Sequence, residues 1–438
     1  MAATQLERTN GTPTLTTKCT ISVWIKRNGT SIGDSAKDEI IAETYTNDTN
    51  FCFLRLDGAD TLNIYGTGIT SVSLSAPGVL RDPNAWYHIV AALDSTESAN
   101  ADKVKLYING IQQTLSGSTF PSSAIGFNNS GSKFNIGKSD RYANFDFDGT
   151  MSHYHFIDGT AYPASTFGST DSVTGQWKIN TSPSVTYGDQ GFFILKDGNS
   201  VTDQSGEGNN LTVSTGTLTN TEDCPSNVFA TLNALLPSNP TLTNGNLSLL
   251  SGSASWLGTA STLGFSSGKF YYEVKVTDVT NYSQLGVVDE SDYSGLASTY
   301  VGNKAKGWGY NSGTGQYYTN GAGTSYGASY GNNDVIGIAI DADNNKLYFA
   351  KNGTWQNSGD PTSGATGTGA ISISHATGYD TWFPAVSCNY IRANCNFGNG
   401  FFGTTAISSE GTNASGIGKF EYDVPNGYVA LSTKGLNE

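Results

Sequence analysis

Apolar and polar side chains alternate with a period of two along much of this chain, the spacing of strands that bury one face. Residues 20–26, TISVWIK, are the first clear run. AWYHIVAALD (85–94), KVKLYINGIQ (103–112), KFNIGK (133–138) and FDGTMSHYHFIDG (147–159) follow. Asn109-Gly110 predicts a two-residue hairpin turn, because the favoured turn of that length needs positive φ at both residues. A second series begins at GKFYYEVKV (268–276), where Phe270, Tyr272, Val274 and Val276 share a face. YSQLGVVD (282–289), GWGYN (307–311), DVIGIAIDA (334–342), KLYFAKNG (346–353), WFPAVS (382–387) and CNFGNGFF (395–402) continue it. Asp343, Asn344 and Asn345 turn the fourth of these runs into the fifth, so residues 334–353 spell a β-hairpin. No long stretch places apolar residues at helical spacing, and methionine occurs only twice.

At 438 residues the chain exceeds a usual single core, which predicts two or three domains. Its 53 glycines, 23 tyrosines and 20 phenylalanines suit short strands joined by turns, so an all-β protein is expected. Between the two series lies TEDCPSNVFATLNALLPSNPTLTNGNLSL (221–249), whose prolines 225, 237 and 240 disfavour regular structure. Phe229, Leu232, Leu235 and Leu236 would be exposed if this segment were loose, which makes it an ordered connector. The expected domains are 1–218 and 246–438, joined by 219–245.

Net charge is −14, from 23 basic and 37 acidic residues, with no lysine or arginine cluster. A nucleic-acid partner is therefore not expected. No apolar run approaches the roughly 20 residues of a membrane span. The opening MAATQLERTNGT lacks the basic and apolar regions of a secretory signal, so the sequons at Asn28, Asn180 and Asn352 carry no weight. Five scattered cysteines make neither a disulfide framework nor a zinc site. Cys388 and Cys395 face each other across a predicted hairpin; a bridge is open to them, and reduced thiols are favoured.

The order of the N-terminal motifs resembles a laminin G-like, or concanavalin A-like, jelly-roll sandwich over roughly residues 4–215. Trp24, Trp86-Tyr87-His88, LYINGIQ, Asn135-Ile136-Gly137 and Asp148-Gly149 carry the resemblance. In the second half, GKFYYEV, DVIG, LYFAKNG, FPAVS and NFG come in the order that resembles a SPRY domain, over residues 246–402. The expected fold is thus two antiparallel jelly-roll-type β-sandwiches. SPRY domains bind partners through their loops. The concanavalin A-like group includes lectins, adhesive modules and glycan hydrolases.

The hydrolases set two or three carboxylates on one strand face as nucleophile and acid/base. Asp146-Phe147-Asp148 is the nearest match here. Asp148 precedes a glycine at a strand-entry position and no glutamate lies nearby, so structural or calcium-binding roles outrank catalysis. His153 and His155 share a strand face, but a metal would need a third ligand, and packing is favoured. Some laminin G-like domains hold calcium at the rim. Asp94, Asp102, Asp140 and Asp146 fall in predicted rim loops, and loop oxygens suit that ion.

The loop region of the second half interleaves Tyr310, Tyr317, Tyr318, Tyr326 and Tyr330 with glycine, serine, threonine and asparagine. Binding loops use this composition. Two or three of the five are expected to be exposed, and one of the adjacent pair Tyr317 and Tyr318 to point inward. Trp355 follows the KNGT turn, where SPRY domains place a variable binding loop; anchoring a ligand and covering the hairpin end are both open to it.

The segments QLERTNGTPTLTTKCTISVWIKR and DCPSNVFATLN resemble structural proteins of marine and cyanobacterial tailed phages. The resemblance implies a non-catalytic recognition protein, a fibre or decoration component made in the host cytoplasm and carried on the virion. Its partners would be a host-surface glycan or glycoprotein, other virion proteins and further copies of itself. A purely structural capsid or tail protein stands as the alternative, and a polysaccharide depolymerase ranks third.

Overall fold

The computed structural model describes residues 3–28, 31–68, 71–196, 201–236, 241–251, 255–277, 281–296 and 298–437. The chain folds as two units, Met1–Asn220 and Thr221–Glu438. Each is a β-sandwich.

In the first unit an eight-stranded sheet runs Ser116–Thr119, Val72–Ser75, Leu62–Thr67, Asn50–Leu56, Glu39–Asn47, Lys133–Ile136, Gln5–Thr9, Thr212–Thr215. A six-stranded sheet runs Phe192–Ile194, Gly149–Asp158, Lys18–Arg27, Tyr87–Asp94, Val104–Ile108, Ile111–Gln112. Every pairing in both sheets is antiparallel. Ile21, Val23 and Ile25 of the central strand enter the core with Ile89, Ala91, Leu93, Phe134, Tyr154 and Phe156. The Asn109-Gly110 turn forms as the sequence predicts, with φ of +48° and +79°.

Thr20, Ser22 and Trp24, on the opposite face of that strand, are buried too. The segment 160–190 folds back over them. Its Phe167 and Trp177 pack with Val90, Ala92, Tyr107 and Ile157 of the sheet. The indole of Trp177 lies flat against two glycines: a Cβ on Gly110 would come within 2.4 Å of it, and one on Gly168 within 2.7 Å. A strand predicted to bury one face therefore buries both.

The second unit pairs a nine-stranded sheet with one of six. The path of the first is Thr241–Thr243, Ser248–Leu250, Arg392–Asn396, Lys269–Thr277, Val335–Asp341, Lys346–Lys351, Thr354–Trp355. Ile371–Ser372 pairs beside Lys346–Lys351, and Val429–Ala430 runs parallel to Lys269–Thr277. The second sheet runs Leu257–Ala260, Trp382–Asn389, Tyr282–Asp289, Gly307–Asn311, Gln316–Thr319, Ala322–Ser325. Phe270, Tyr272, Val274 and Val276 share the core face as their spacing predicts. Tyr271 on the outer face is covered by the C-terminal segment through Ile417, Phe420, Val424 and Tyr428.

The connecting segment from Thr221 onward packs inside this second unit. Ala230 N–H donates to Leu431 O at 2.9 Å and Leu232 N–H to Asn246 O at 2.8 Å. Phe229, Leu232 and Leu236 are buried, whereas Leu235 is 74% exposed. Pro237 and Pro240 lie outside the described residues. Cys388 and Cys395 are buried reduced thiols, as are Cys19 and Cys52, and Cys224, half-buried beside Ser226 Oγ at 3.2 Å, is likewise outside any disulfide. Small apolar side chains in a core account for the four buried ones.

Candidate functional site

Three of the five loop tyrosines are core residues. Tyr310, Tyr326 and Tyr330 are buried, and their rings gather around Phe349, with Tyr310 at 5.0 Å from it. Each hydroxyl has a protein partner. Tyr330 donates to Tyr310 O at 2.8 Å, Tyr310 donates to Ala328 O, and Tyr326 accepts from Phe349 N–H at 3.2 Å. Tyr317 is half-buried against the same core, while Tyr318 turns to the other side, beside Tyr300. None of the five is exposed, so the expected patch does not form. Aromatic rings flanked by small residues bury as readily as they bind.

Exposed tyrosines of this unit lie elsewhere, Tyr379 among them at 46%. Tyr282 is 47% and Tyr390 42% exposed, at the end where Tyr282 is paired with Asn389. Asn281 Nδ2 donates to Asn389 Oδ1 at 2.9 Å, and Tyr282 lies against Gly313. Tyr390 has φ of +50°, an outlier for a bulky side chain. The sequence signal was the Asn-Tyr dipeptide between WFPAVSC and RANC, a turn written where no ring was needed for packing.

Trp355 is half-buried and forms one wall of an open groove of about 370 Å³. Its ring centroid is 6.4 Å from Tyr271 and 6.4 Å from Tyr348, edge-on to both. Pairing of Ala350 with Trp355 sets the indole on the outer side of the sheet edge. Asp360, Pro361, Thr412, Asp423 and Pro425 form the other walls. Asp360 Oδ1 accepts from Thr362 N at 2.9 Å and Thr362 Oγ1 at 2.6 Å. Asp423 Oδ1 accepts from Thr412 N at 2.7 Å and Thr412 Oγ1 at 2.8 Å. The Thr362 hydroxyl and amide, and for Asp423 the Thr412 amide and hydroxyl, hold both carboxyls below the usual range. Both are therefore ionised at neutral pH.

The groove exists because the C-terminal segment is pinned to the sheet. Glu273 is buried, and it accepts from Glu421 N at 2.9 Å, Tyr422 N at 2.8 Å and Tyr271 Oη at 3.1 Å. Burial pushes its carboxyl up to about 7. Tyr428 Oη donates to Pro361 O at 3.1 Å and ties the two walls together.

In the first unit, the four rim aspartates are each engaged separately. Asp94 pairs with Lys18 at 2.8 Å and Asp102 with Lys105 at 3.1 Å. Asp140 pairs with Lys133 at 3.2 Å and accepts from Gln5 Nε2 at 2.8 Å. Asp146 bridges to Lys138 through the backbone, and burial raises its carboxyl. Among the described residues no three His, Cys, Asp or Glu side chains gather at one point. Asp148 accepts from Asn28 Nδ2 at 3.2 Å.

His153 and His155 are buried, His155 beneath Phe167 and Tyr187 of the 160–190 segment and His153 beside Phe193. A bulge at Ser152–His155, with φ of +48° at His153, breaks the shared face that alternation predicts. His155 stacks on Phe193 at 4.0 Å and its Nδ1 meets Tyr187 Oη at 2.8 Å. A second groove, of about 400 Å³, is lined by Glu7, Arg8 and Asn209. Its Arg8 guanidinium is already spent on Gln190 O at 3.0 Å and Asn209 Oδ1 at 2.7 Å. Trp355 thus marks the groove that pairs an aromatic wall with carboxylates.

Residues 3–165 match the model of the concanavalin A-like lectin/glucanases superfamily, and residues 269–400 match that of the SPRY domain. Among characterised proteins, a probable ATP-dependent RNA helicase ddx1 of Dictyostelium discoideum is 39% identical over 101 residues, 23% of this chain and 12% of that protein. ATP-dependent RNA helicase Ddx1 of Drosophila melanogaster is 30% identical over 172 residues, 37% of this chain and 21% of that protein. The chain thus spans only 12% and 21% of the length of these two relatives. Among solved structures, the SPRY domain of human HERC1 is 15% identical, covering 37% of this chain and 96% of that one, with a TM-score of 0.30. A heptameric SAP-like pentraxin from Limulus polyphemus is 15% identical, covering 41% and 86%, with a TM-score of 0.29.

Proposed function

We propose, for a chain built of a concanavalin A-like domain followed by a SPRY domain, recognition without catalysis: a virion protein of a tailed phage that contacts host-surface glycans. The observation that carries this reading is the Trp355 groove. An indole face stacks on the apolar C–H face of a sugar ring, and fixed carboxylates accept hydrogen bonds from its hydroxyls. Both carboxylates are held by their own threonines, so little order is lost when a ligand seats. The placement on a virion is supported by the phage-like character of residues 5–27 and 223–233 and by the pairing of the two modules. Each groove is open and gives a weak contact. Many copies on one particle would raise the effective affinity.

Retention and reducing-end release on a polysaccharide panel test the proposal, with wild type beside Trp355→Ala. Retention without release, lost in the variant, is the expected result. Release would point instead to a depolymerase. Retention of nothing, together with capture of other virion proteins, would favour the purely structural role.

A further inference from the structure

We infer that Asn426 is a site of self-modification: the Gly427 nitrogen displaces its side-chain amide, and the aspartate or isoaspartate left behind remodels the turn in one wall of the Trp355 groove. The inference is independent of what the groove binds. An asparagine followed by glycine is the pair most open to this attack, because glycine has no Cβ to hinder the incoming nitrogen. Eight such pairs occur in the chain. In seven of them the fold works against the reaction. Asn10 and Asn399 are buried. Asn10 Nδ2 donates to Phe127 O at 3.0 Å, and the N–H of Gly400 donates to Asn396 Oδ1 at 3.1 Å. Asn28 Nδ2 donates to Asp148 Oδ1 at 3.2 Å. Asn109, Asn244, Asn320 and Asn352 all have positive φ. That left-handed backbone swings the next nitrogen to the far side of the Cα–C bond from the side chain. Three of these four side chains are also engaged. Asn109 Oδ1 accepts from His88 N at 2.8 Å, Asn244 Nδ2 donates to Ser248 Oγ at 2.9 Å, and Asn352 Oδ1 accepts from Val335 N at 2.8 Å. At Asn320 the following residue is held instead, with Gly321 N–H on Gly302 O at 2.9 Å.

Asn426 differs on every count. It is exposed and lacks the positive φ of those four. Among the described residues neither its side chain nor the Gly427 N–H makes a hydrogen bond. Tyr428 N–H donates to Pro425 O at 3.0 Å and Gly427 has φ of +83°, a type II turn with residues 426 and 427 at its corners. A Cβ on Gly427 would meet nothing within 4 Å, so the turn has room to rotate. The Gly427 nitrogen gives its proton to hydroxide and bonds to Asn426 Cγ, while the Cγ–Nδ2 bond breaks and ammonia leaves. Water then opens the five-membered imide. Opening at Cγ gives aspartate, a further carboxylate in a groove that already holds Asp360 and Asp423. Opening at the main-chain carbonyl gives isoaspartate, which lengthens the backbone by one methylene. That length cannot spread along the chain, because both flanks are pinned. Val424 N–H donates to Thr412 O at 2.8 Å, and Tyr428 Oη donates to Pro361 O at 3.1 Å. The turn itself must absorb it, and its Tyr428–Pro425 hydrogen bond is the one to give way.

Peptide mapping by mass spectrometry tests this on the full chain, aged at pH 7.4 and pH 8.5, folded and in urea. In the folded protein Asn426 should account for most of the amide lost from the eight pairs, and faster at the higher pH. In urea, where the fold no longer protects the other seven, all eight should react at comparable rates. Asn426→Gln keeps an amide but would have to close a six-membered ring, and should stay intact. Aged protein separated by its extra negative charge supplies the second readout. Hydrogen exchange at the Tyr428 amide should be about tenfold faster in the isoaspartate form, as expected for the loss of one hydrogen bond. Equal reaction at all eight pairs in the folded protein, or reaction at another pair before Asn426, would overturn the inference. Unchanged exchange at Tyr428 in the isoaspartate form would overturn the remodelling of the turn.

Discussion

Lowering the pH should unfasten the first unit through His88. This ring is sandwiched between Trp24 at 4.8 Å and Trp177 at 6.0 Å, both within 17° of parallel. Trp177 Nε1–H donates to Nδ1 at 2.9 Å, and Nε2 meets Ser22 Oγ at 2.9 Å. An indole nitrogen can only donate, so Nδ1 must be bare and the ring neutral. Protonation would turn two N–H groups toward each other. Burial, with His153 nearby, pushes the imidazole down to about 3, and His155 is pushed down by burial and by His153, His88 and Lys196. Above pH 6.5 neither the folded nor the unfolded chain protonates this site, and its stabilising effect is complete. Below that, the unfolded chain takes up a proton that the folded chain refuses, and stability falls as the pH falls. One group loses about 1.4 kcal/mol per pH unit. Between pH 6.5 and 4.5 His88 alone therefore removes about 3 kcal/mol, a large share of the ~5–15 kcal/mol of an ordinary domain. Urea unfolding of wild type and His88→Gln, followed by tryptophan fluorescence from pH 8 to 4.5, isolates the effect. Glutamine can still accept from Trp177 and donate to Ser22 but does not titrate, and carboxylates elsewhere cancel in the comparison. The wild-type advantage should shrink by about 3 kcal/mol across that window. A constant difference at every pH would refute the reasoning.

In the second unit the sign is reversed. Glu273 at about 7 keeps its proton where the unfolded chain has lost it, so stability from this group is greatest below pH 4.5 and falls as the pH rises toward 7. Glu273→Gln should flatten that slope, by about 3 kcal/mol over the window, and hydrogen exchange of the amides of residues 421 and 422 at pH 5 and 7.5 would report it. Arg27 is buried with Glu39 and Asp60, and its guanidinium donates to both carboxylates at 2.9 Å and to Leu80 O at 2.6 Å. Arg27→Ala leaves the buried Glu39 without its cation and Asp60 with Arg81 alone, and should cost about 3–5 kcal/mol in urea unfolding; a loss under about 1 kcal/mol would mean the network contributes nothing net.

Much of the sandwich was legible because strand alternation is local. Phe270, Tyr272, Val274 and Val276 share a face whatever packs on them. Positive φ at Asn109 and Gly110 follows from two adjacent residues. The tyrosines were not legible for the opposite reason. Whether Tyr310 or Tyr330 is inside depends on pairing with Tyr317 and on contact with Phe349, residues that chain order does not place. Of the predicted site residues, Trp355 lines a groove, but its other wall comes from residues 412–426, more than fifty positions away. The bulge at His153 likewise has no local signature.

The two units share a device that neither half of the sequence announces. In each, the central strand carries apolar residues on its inner face and polar or aromatic ones outside, the pattern of a solvated face. In each, a distant segment covers that outer face: 160–190 over Ser22, Trp24 and His88, and the C-terminal stretch over Tyr271 and Glu273. A covered polar group must be satisfied by what covers it. That is why Trp177 donates to His88, Tyr187 meets His155, and the amides of residues 421 and 422 end on Glu273. Titratable groups become fasteners, and their pKa values move because the cover excludes water. The Trp355 groove lies along the margin of one such cover, between Pro361 and Pro425. A cover held by its apolar contacts, by Tyr428 and by a buried carboxylate can present Asp423 at a fixed place. The polar residues that alternation assigns to the outside thus become the anchors that give the second unit a shaped binding edge.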